Sequence, residues 1–199
     1  HAAALAAAAA RWVGYLSTTG VYGDRQGGWV DEDSALQPAG DRGQRRAAAE
    51  AAWAATGLPI HVFRLAGIYG PGRSILDRVR AGGAGRIVPP GRVFSRLPAA
   101  EVGAAPPASL ARPNAGRAYN VADDLPAPPA DVTAFACRLL GLPLPPEEPF
   151  DPATLSPMAA SFWSESKRVS NGRIKAELGV TLAFPTYREG LVGILAAGG

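Results

Sequence analysis

The chain has 199 residues, of which 47% are apolar and 19% charged, the size and composition of one ordinary domain or slightly more with a core to bury. A formal net charge of +3 with dispersed arginines argues against nucleic-acid binding, and the 19 prolines and 24 glycines follow no period, which excludes collagen and a disordered tract. The only histidines are His1 and His61 and the only cysteine is Cys137, so no histidine or thiolate metal cluster can be assembled.

No apolar run approaches the roughly 18 to 20 residues of a membrane helix, and His1 to Ala10 lacks the pattern of a signal peptide. The lone Cys137, set in VTAFACRLLG, predicts a small buried side chain and fits a reducing, cytoplasmic setting. Because the chain opens at His1 inside an alanine-rich helix and its only methionine is Met158, it is expected to be part of a longer protein.

Ala2 to Ala10 reads as the tail of a helix, alanine being the best helix former. It leads into WVGYLSTTGVYGD, where Val13, Tyr15 and Leu16 predict a short buried strand and Gly20 and Gly23 a tight exit. Ser17, Thr18 and Thr19 fall at the C-terminal end of that strand. In an open parallel sheet this is where ligands sit, although such hydroxyls also satisfy backbone groups in turns. The polar stretch from Asp24 to Asp41 predicts a surface loop anchored by Trp29 and long enough to cover a site.

Asp41 is the expected N-cap of a helix running to about Ala55, stopped by Gly57. Ile60 to Leu65 predicts a strand, followed by the glycine loop AGIYGPGR, and His61 within it reads as structural. The alternation of strand, helix and strand indicates α/β architecture with a parallel sheet. Ser74 to Arg80 reads as a serine-capped helix ended by Gly82, Gly83 and Gly85. Brief extended pieces at Arg86 to Val88 and Arg92 to Phe94 precede a helix over Glu101 to Ala111 and a strand over Ala118 to Val121. Asp131 is expected to cap an amphipathic helix whose Val132, Phe135, Leu139 and Leu140 share a face. Pro143 to Pro157 reads as irregular, and helices around Asn171 to Leu178 and Tyr187 to Ala196 close the chain. No internal repeat and no clear linker is visible.

The order STTGVYGD, RGQRRAAAE, FRLAGIYGPGR, then VFSR, YNVADDLPAP and KRVSNGRIKAELG followed by PTYREGL resembles the C-terminal half of an extended or atypical short-chain dehydrogenase/reductase of the NAD-dependent epimerase/dehydratase kind. The likeness spans nearly all of the chain. It implies a Rossmann-like parallel sheet, with 1–81 as the C-terminal part of a dinucleotide-binding domain and 82–199 as a substrate-side α+β region whose elements return to the core. It also implies NADP or NAD as cofactor, a small-molecule carbonyl or alcohol substrate, and a homodimer as the oligomeric expectation, with no nucleic-acid or membrane partner. The family's phosphate-binding glycine turn lies near its N-terminus. Neither Gly67, Gly70 and Gly72 nor Gly82, Gly83 and Gly85 supplies it here.

Carried over residue by residue, the resemblance puts Thr18 at the family's substrate-orienting hydroxyl, with a structural hydroxyl as the competing reading. Registering the next helix on Glu50 puts Arg42 at the tyrosine position of the acid/base pair and Arg46 at the lysine position. Tyrosine can give and take a proton there. Arginine stays protonated, so Arg42 can bind an anion or polarise an oxygen but is a poor general base. Arg46 still presents donors toward a cofactor ribose. The bland alternative for Arg42, Arg45 and Arg46 is a solvated helix face, favoured for Arg45. Leu65, Ala66 and Gly67 correspond to the loop that approaches the nicotinamide, and Tyr22, Tyr69, Arg73 and Arg96 are the candidates for lining a substrate pocket. After Arg96 the segment LPAAEVG lacks the family's histidine.

These residues imply an oxidoreductase or epimerase/dehydratase-like protein transferring hydride on a carbonyl or alcohol. The alternatives are a non-catalytic NAD(P)-binding sensor that lost the acid/base pair, and a remnant without a cofactor site.

Overall fold

Ile60–Leu65 forms the central strand, β3, because its apolar and β-branched side chains suit burial on both faces of a sheet. The computed structural model describes residues 1–87, 91–148, 150, 151, 153, 160 and 163–198. Of the extended and irregular stretches expected from the sequence, Val88, the prolines at 89 and 90, and 149, 152 and 154–157 lie outside the described residues.

Strand β1 (Val13–Thr18) runs parallel to β3 on one side, and β7 (Ala118–Val121) runs parallel to it on the other. Register pairs Thr18 with Leu65, and Leu65 with Val121. The C-terminal ends of the three strands are therefore level, and β7 returns to this sheet from the second half of the chain. Among the described residues β1 is an edge strand, with Leu16 47% exposed.

Helix α1 (Ala2–Ala7) precedes β1. Helix α2 (Gly40–Ala54) covers one face of the sheet, where Ser17 of β1 and Arg64 of β3 both reach Glu50. Its N-cap is Ala39, and the expected cap Asp41 lies in the first turn instead. Helices α4 (Ala105–Ala111) and α6 (Gly172–Leu178) cover the other face. There the Trp12 indole donates to Ser109 Oγ, and Tyr119 donates to Glu177. The prolines of α4 fall in its opening turn, where their missing N–H groups cost nothing, so the helix starts at Ala105 and not at Glu101.

A second apolar cluster joins α3 (Ile75–Arg80), α5 (Pro129–Leu140) and α7 (Tyr187–Ala196) through Leu76, Val79, Cys137, Tyr187, Leu191 and Ile194. Ser74 caps α3 reciprocally with Asp77, and α7 has the same device in Thr186 and Glu189. Helix α5 begins at Pro129 with Asp131 inside its first turn. Its buried face runs through Val132, Thr133, Ala136 and Cys137. Phe135, Leu139 and Leu140 flank that face because the close approach to α3 selects the smaller side chains.

Three short parallel pairs complete the fold: β4 (Gly67–Tyr69) with β6 (Arg96–Pro98), β5 (Arg86–Ile87) with β8 (Glu147–Glu148), and β2 (Trp29–Val30) with β9 (Arg168–Val169). In the Asp24–Asp41 segment the anchor is Val30, 2% exposed, whereas Trp29 is 62% exposed, because the two alternate across β2. Phe94 makes only isolated bridges, so extended pairing begins later than expected, at Arg96.

Candidate active site at the carboxyl ends of the parallel strands

Thr18 ends β1 and caps the 3₁₀ turn Thr19–Tyr22, its Oγ1 accepting from the Gly20 N–H at 3.1 Å. That bond uses an oxygen lone pair. The hydroxyl proton stays available for a further acceptor. The turn ends at Gly23, with φ +70°, where a Cβ would fall 1.8 Å from the Gln37 carbonyl oxygen, so only glycine lets the covering segment close so near.

Helix α2 presses on this turn, since a Cβ at Gly43 would stand 3.0 Å from the Gly20 carbonyl oxygen. Arg42 and Arg46 flank that contact one helical turn apart, both exposed. Arg46 Nη1 lies 3.4 Å from the Tyr15 hydroxyl and from the Leu16 carbonyl, at the long limit of a hydrogen bond. Among the described residues Arg42 has no hydrogen-bond or ion-pair partner. Arg45 instead pairs with Asp41 at 3.7 Å in solvent.

Behind these residues lies a closed polar network. Arg64 donates to both Glu50 oxygens, with a closest approach of 2.8 Å, and Ser17 donates to Glu50 at 2.5 Å. Arg64 Nη1 also donates to the Tyr22 hydroxyl at 2.9 Å, which in turn donates to Asn120 Oδ1 at 2.8 Å. Tyr22 is 0% exposed. Burial pushes its phenol up from the ordinary value, with Arg64 and Asn120 pulling part of the way back. The expectation that Tyr22 lines a substrate pocket therefore gives way to a role inside the core. Asn120 extends the network, its N–H donating to Glu32 and its side chain to the Ser170 carbonyl.

On the β3 side, Leu65 and Ala66 are buried and Gly67 is exposed. The Ala66 N–H donates to the Val121 carbonyl, which fixes this small-residue turn at the sheet end. Arg73 is exposed and exchanges backbone hydrogen bonds with Gly70. Tyr69 and Arg96 instead meet in a second polar cluster around Asp123, just past the end of β7. Arg96 Nη1 donates to the carbonyls of Phe94 and Ala127 at 2.9 Å each. The Tyr69 hydroxyl packs against α7, where a Cβ at Gly190 would come within 2.0 Å of it, and it has no partner among the described residues. Neither Asp123 oxygen has a hydrogen-bonded partner, although Arg96 and the amides of Arg96 and Leu125 lie near enough to favour its ionised form. Burial outweighs them and pushes the carboxyl up to about 7. Tyr69 and Arg96 are thus half-buried, with the Tyr69 hydroxyl turned inward and Arg96 tied to two backbone carbonyls.

The structure brings Thr18, Arg42 and Arg46 to one surface and leaves Arg73 apart. Glu50, Arg64, Asn120 and Asp123 were not singled out as site residues. A charged residue inside the apolar run IHVFRL was the available signal for a buried partner. Two concavities lie elsewhere, one of about 420 Å³ bounded by Arg112, Arg117, Tyr119 and Glu177, and one of about 520 Å³ bounded by Leu5, Trp12 and Trp53. Neither is lined by Thr18. Among the described residues no group of side chains is arranged to hold a metal ion, and no helix is long and apolar enough to cross a membrane.

No family model and no curated protein matches the sequence. Solved structures do. A conserved protein of unknown function from Silicibacter pomeroyi is 56% identical with a TM-score of 0.92, the match covering 98% of this chain and 70% of that one. A candidate NAD-dependent epimerase/dehydratase from Methylobacillus flagellatus is 27% identical with a TM-score of 0.73, over 98% and 67% of the two chains. The chain is thus similar in sequence and fold to a candidate NAD-dependent epimerase/dehydratase. A dTDP-glucose 4,6-dehydratase from Bacillus anthracis, solved in complex with NAD, shares the fold at 17% identity and a TM-score of 0.79. The chain spans 64% of that dehydratase, less than two thirds of its length. The parallel α/β sheet is the Rossmann-like architecture of these structures.

Proposed function

We infer that this chain forms the nicotinamide and substrate side of an NAD(P)-dependent oxidoreductase or epimerase/dehydratase-like protein acting on a carbonyl or alcohol. The observation that carries this reading is the free proton of Thr18 at the carboxyl end of β1, level with the small-residue turn Ala66–Gly67 and beside Arg46. These groups suit a nicotinamide ribose: small residues permit close approach, and a hydroxyl and a guanidinium supply donors. They do not suit a pyrophosphate. Among the described residues the glycine turn from a strand into a helix is Gly70–Gly72, and it joins the three-residue β4, outside the main sheet, to the six-residue α3.

When bound, NAD(P)H supplies the hydride. Thr18 donates a hydrogen bond to the substrate oxygen and so orients the carbonyl carbon. As the C=O electron pair moves onto that oxygen, the Thr18 hydrogen bond stabilises the developing negative charge, and Arg42, always protonated, cannot supply the proton. The proton comes from solvent water, leaving an alcohol. A non-catalytic NAD(P)-binding sensor is the second reading, and the observation favouring it is Arg42 at the tyrosine position. Arg42→Tyr together with Arg46→Lys separates the two: new reductase activity marks a sensor, while an enzyme relying on solvent protons already turns over.

Saturation-transfer NMR with NADH and NADPH tests the site itself. The expected result is stronger transfer to the nicotinamide ribose protons than to adenine, weakened by Thr18→Val and Arg46→Met. Equal transfer to adenine, or none to either dinucleotide, overturns the placement.

A further inference from the structure

Thr18, Arg42 and Arg46, at and beside the end of β1, each have a donor to offer. Thr18 offers a proton, because its oxygen already accepts from the Gly20 N–H. Arg42 offers a complete guanidinium, and Arg46 is held only by two long contacts to Tyr15 and Leu16. Of the nearby carboxylates, Glu50 is held by Arg64 and Ser17, Asp24 accepts on Oδ1 from the N–H groups of Gln26 and Ser166, and Asp41 faces Arg45 at 3.7 Å in solvent. Two guanidinium groups and a hydroxyl proton suit a ligand rich in acceptors.

The two arginines also stand where helix electrostatics oppose them. Arg42 is the third residue of α2, in the turn where the macrodipole disfavours a cation, and Arg46 repeats the charge at i+4. An anion seated between them relieves both penalties. Gly43 fixes the geometry by bringing this helix face hard against the turn that Thr18 caps.

We propose that Arg42 and Arg46 bind the carboxylate or phosphate of an acidic carbonyl substrate, whose carbonyl oxygen then lies within reach of Thr18. This rests on the reading above that the end of β1 is the substrate side. It departs from a tyrosine and lysine pair serving proton transfer, because here the same two helix positions select charge.

The test is a ¹H–¹⁵N NMR titration of the protein with pyruvate, inorganic phosphate and acetone at constant ionic strength, with NADPH titrated separately. Pyruvate and phosphate are expected to shift the amides of Thr18 to Gly20 and the Arg42 and Arg46 Nε resonances, and acetone is not. Arg42→Met and Arg46→Met should each weaken the anions about tenfold or more, the loss expected for one charge-assisted hydrogen bond. Unchanged anion affinity in both variants, or no saturable shift with either anion, overturns the proposal. If the variants weaken NADPH but not pyruvate, the arginines serve a phosphate of the cofactor, and the substrate-class proposal falls while the cofactor reading stands. If pyruvate binds as expected and NADPH does not, the anion site stands without that reading.

Discussion

Two buried polar clusters flank the carboxyl ends of the parallel strands, and their accounting differs. Under α2, Glu50, Arg64, Ser17, Tyr22 and Asn120 satisfy one another, with each hydroxyl and carboxylate oxygen hydrogen-bonded. Beyond β7, Asp123 and the Tyr69 hydroxyl lie equally deep with no hydrogen-bond partner among the described residues, and Arg96 spends Nη1 on two carbonyls. Burial alone therefore does not decide whether a charge is tolerated as a charge. A carboxylate meeting a bidentate guanidinium keeps its ionisation at an interior position, whereas one facing a guanidinium committed elsewhere relieves the penalty by holding its proton. The first cluster fixes α2 over β1 and β3, and thus the arginine surface beside Thr18. The second makes the junction of β4, β6, β7 and α7 sensitive to pH.

The largest expected effect comes from breaking the satisfied cluster. Glu50→Ala strands Arg64 inside the protein, and losing one partner of a buried pair costs about 3–5 kcal/mol. Urea denaturation at neutral pH reads this directly. A loss below about 1 kcal/mol, in the range of an exposed pair, means that the network adds little and that α2 is held by its apolar contacts. Replacing both partners, as in Glu50→Leu with Arg64→Met, is expected to recover most of the loss, because it is the unpaired charge that costs.

Next in size is Asp123. Its folded value of about 7 lies above the ordinary 3.8, so the folded state holds the proton more tightly than the unfolded chain does. The stability this supplies is complete below pH ~4 and is lost as pH rises through about 7. Asp123→Asn, permanently neutral, should be close to wild type at pH 4 and more stable at pH 8 by on the order of 2–4 kcal/mol. The charged groups that act on Asp123 are Arg96, which favours its ionised form, and Asp124, which opposes it. Parallel pH profiles for variant and wild type refute the assignment.

Much of this architecture was legible because local signals agreed. The run IHVFRL set the bounds of β3, and the Ser74/Asp77 capping box marked the start of α3. The pairing of β1 with β3 alone among the described residues was not legible, since it depends on which strands pair and not on the composition of LSTT. Trp29 misled as an anchor because size suggested burial, while the pleat of a two-residue strand gave the inward place to Val30. At the site, Thr18, Arg42 and Arg46 were singled out through motif order. The inward turn of the Tyr22 and Tyr69 hydroxyls was not legible, because type and spacing reveal a polar side chain's chemistry but not which side of a surface it occupies. Only long-range partners settle that, and for Tyr22 they are 42 and 98 residues away.

The smallest expected effect gives the sharpest contrast, because one substitution is applied to both clusters. Tyr22→Phe removes a hydroxyl that donates to Asn120 and accepts from Arg64, leaving two buried polar atoms short of a partner. That should destabilise the fold by about 1–3 kcal/mol. Tyr69→Phe removes a hydroxyl that bonds to nothing among the described residues and crowds Gly190, so it should be neutral or stabilise by up to about 1 kcal/mol. Both variants keep the ring, its apolar area and its packing neighbours, so the difference in denaturation midpoint isolates the hydroxyl. Opposite signs confirm that one cluster is closed and the other is not. Equal losses mean that the Tyr69 hydroxyl has found an acceptor, and Asp123, the unsatisfied carboxylate of the same cluster, is then the first place to look for it.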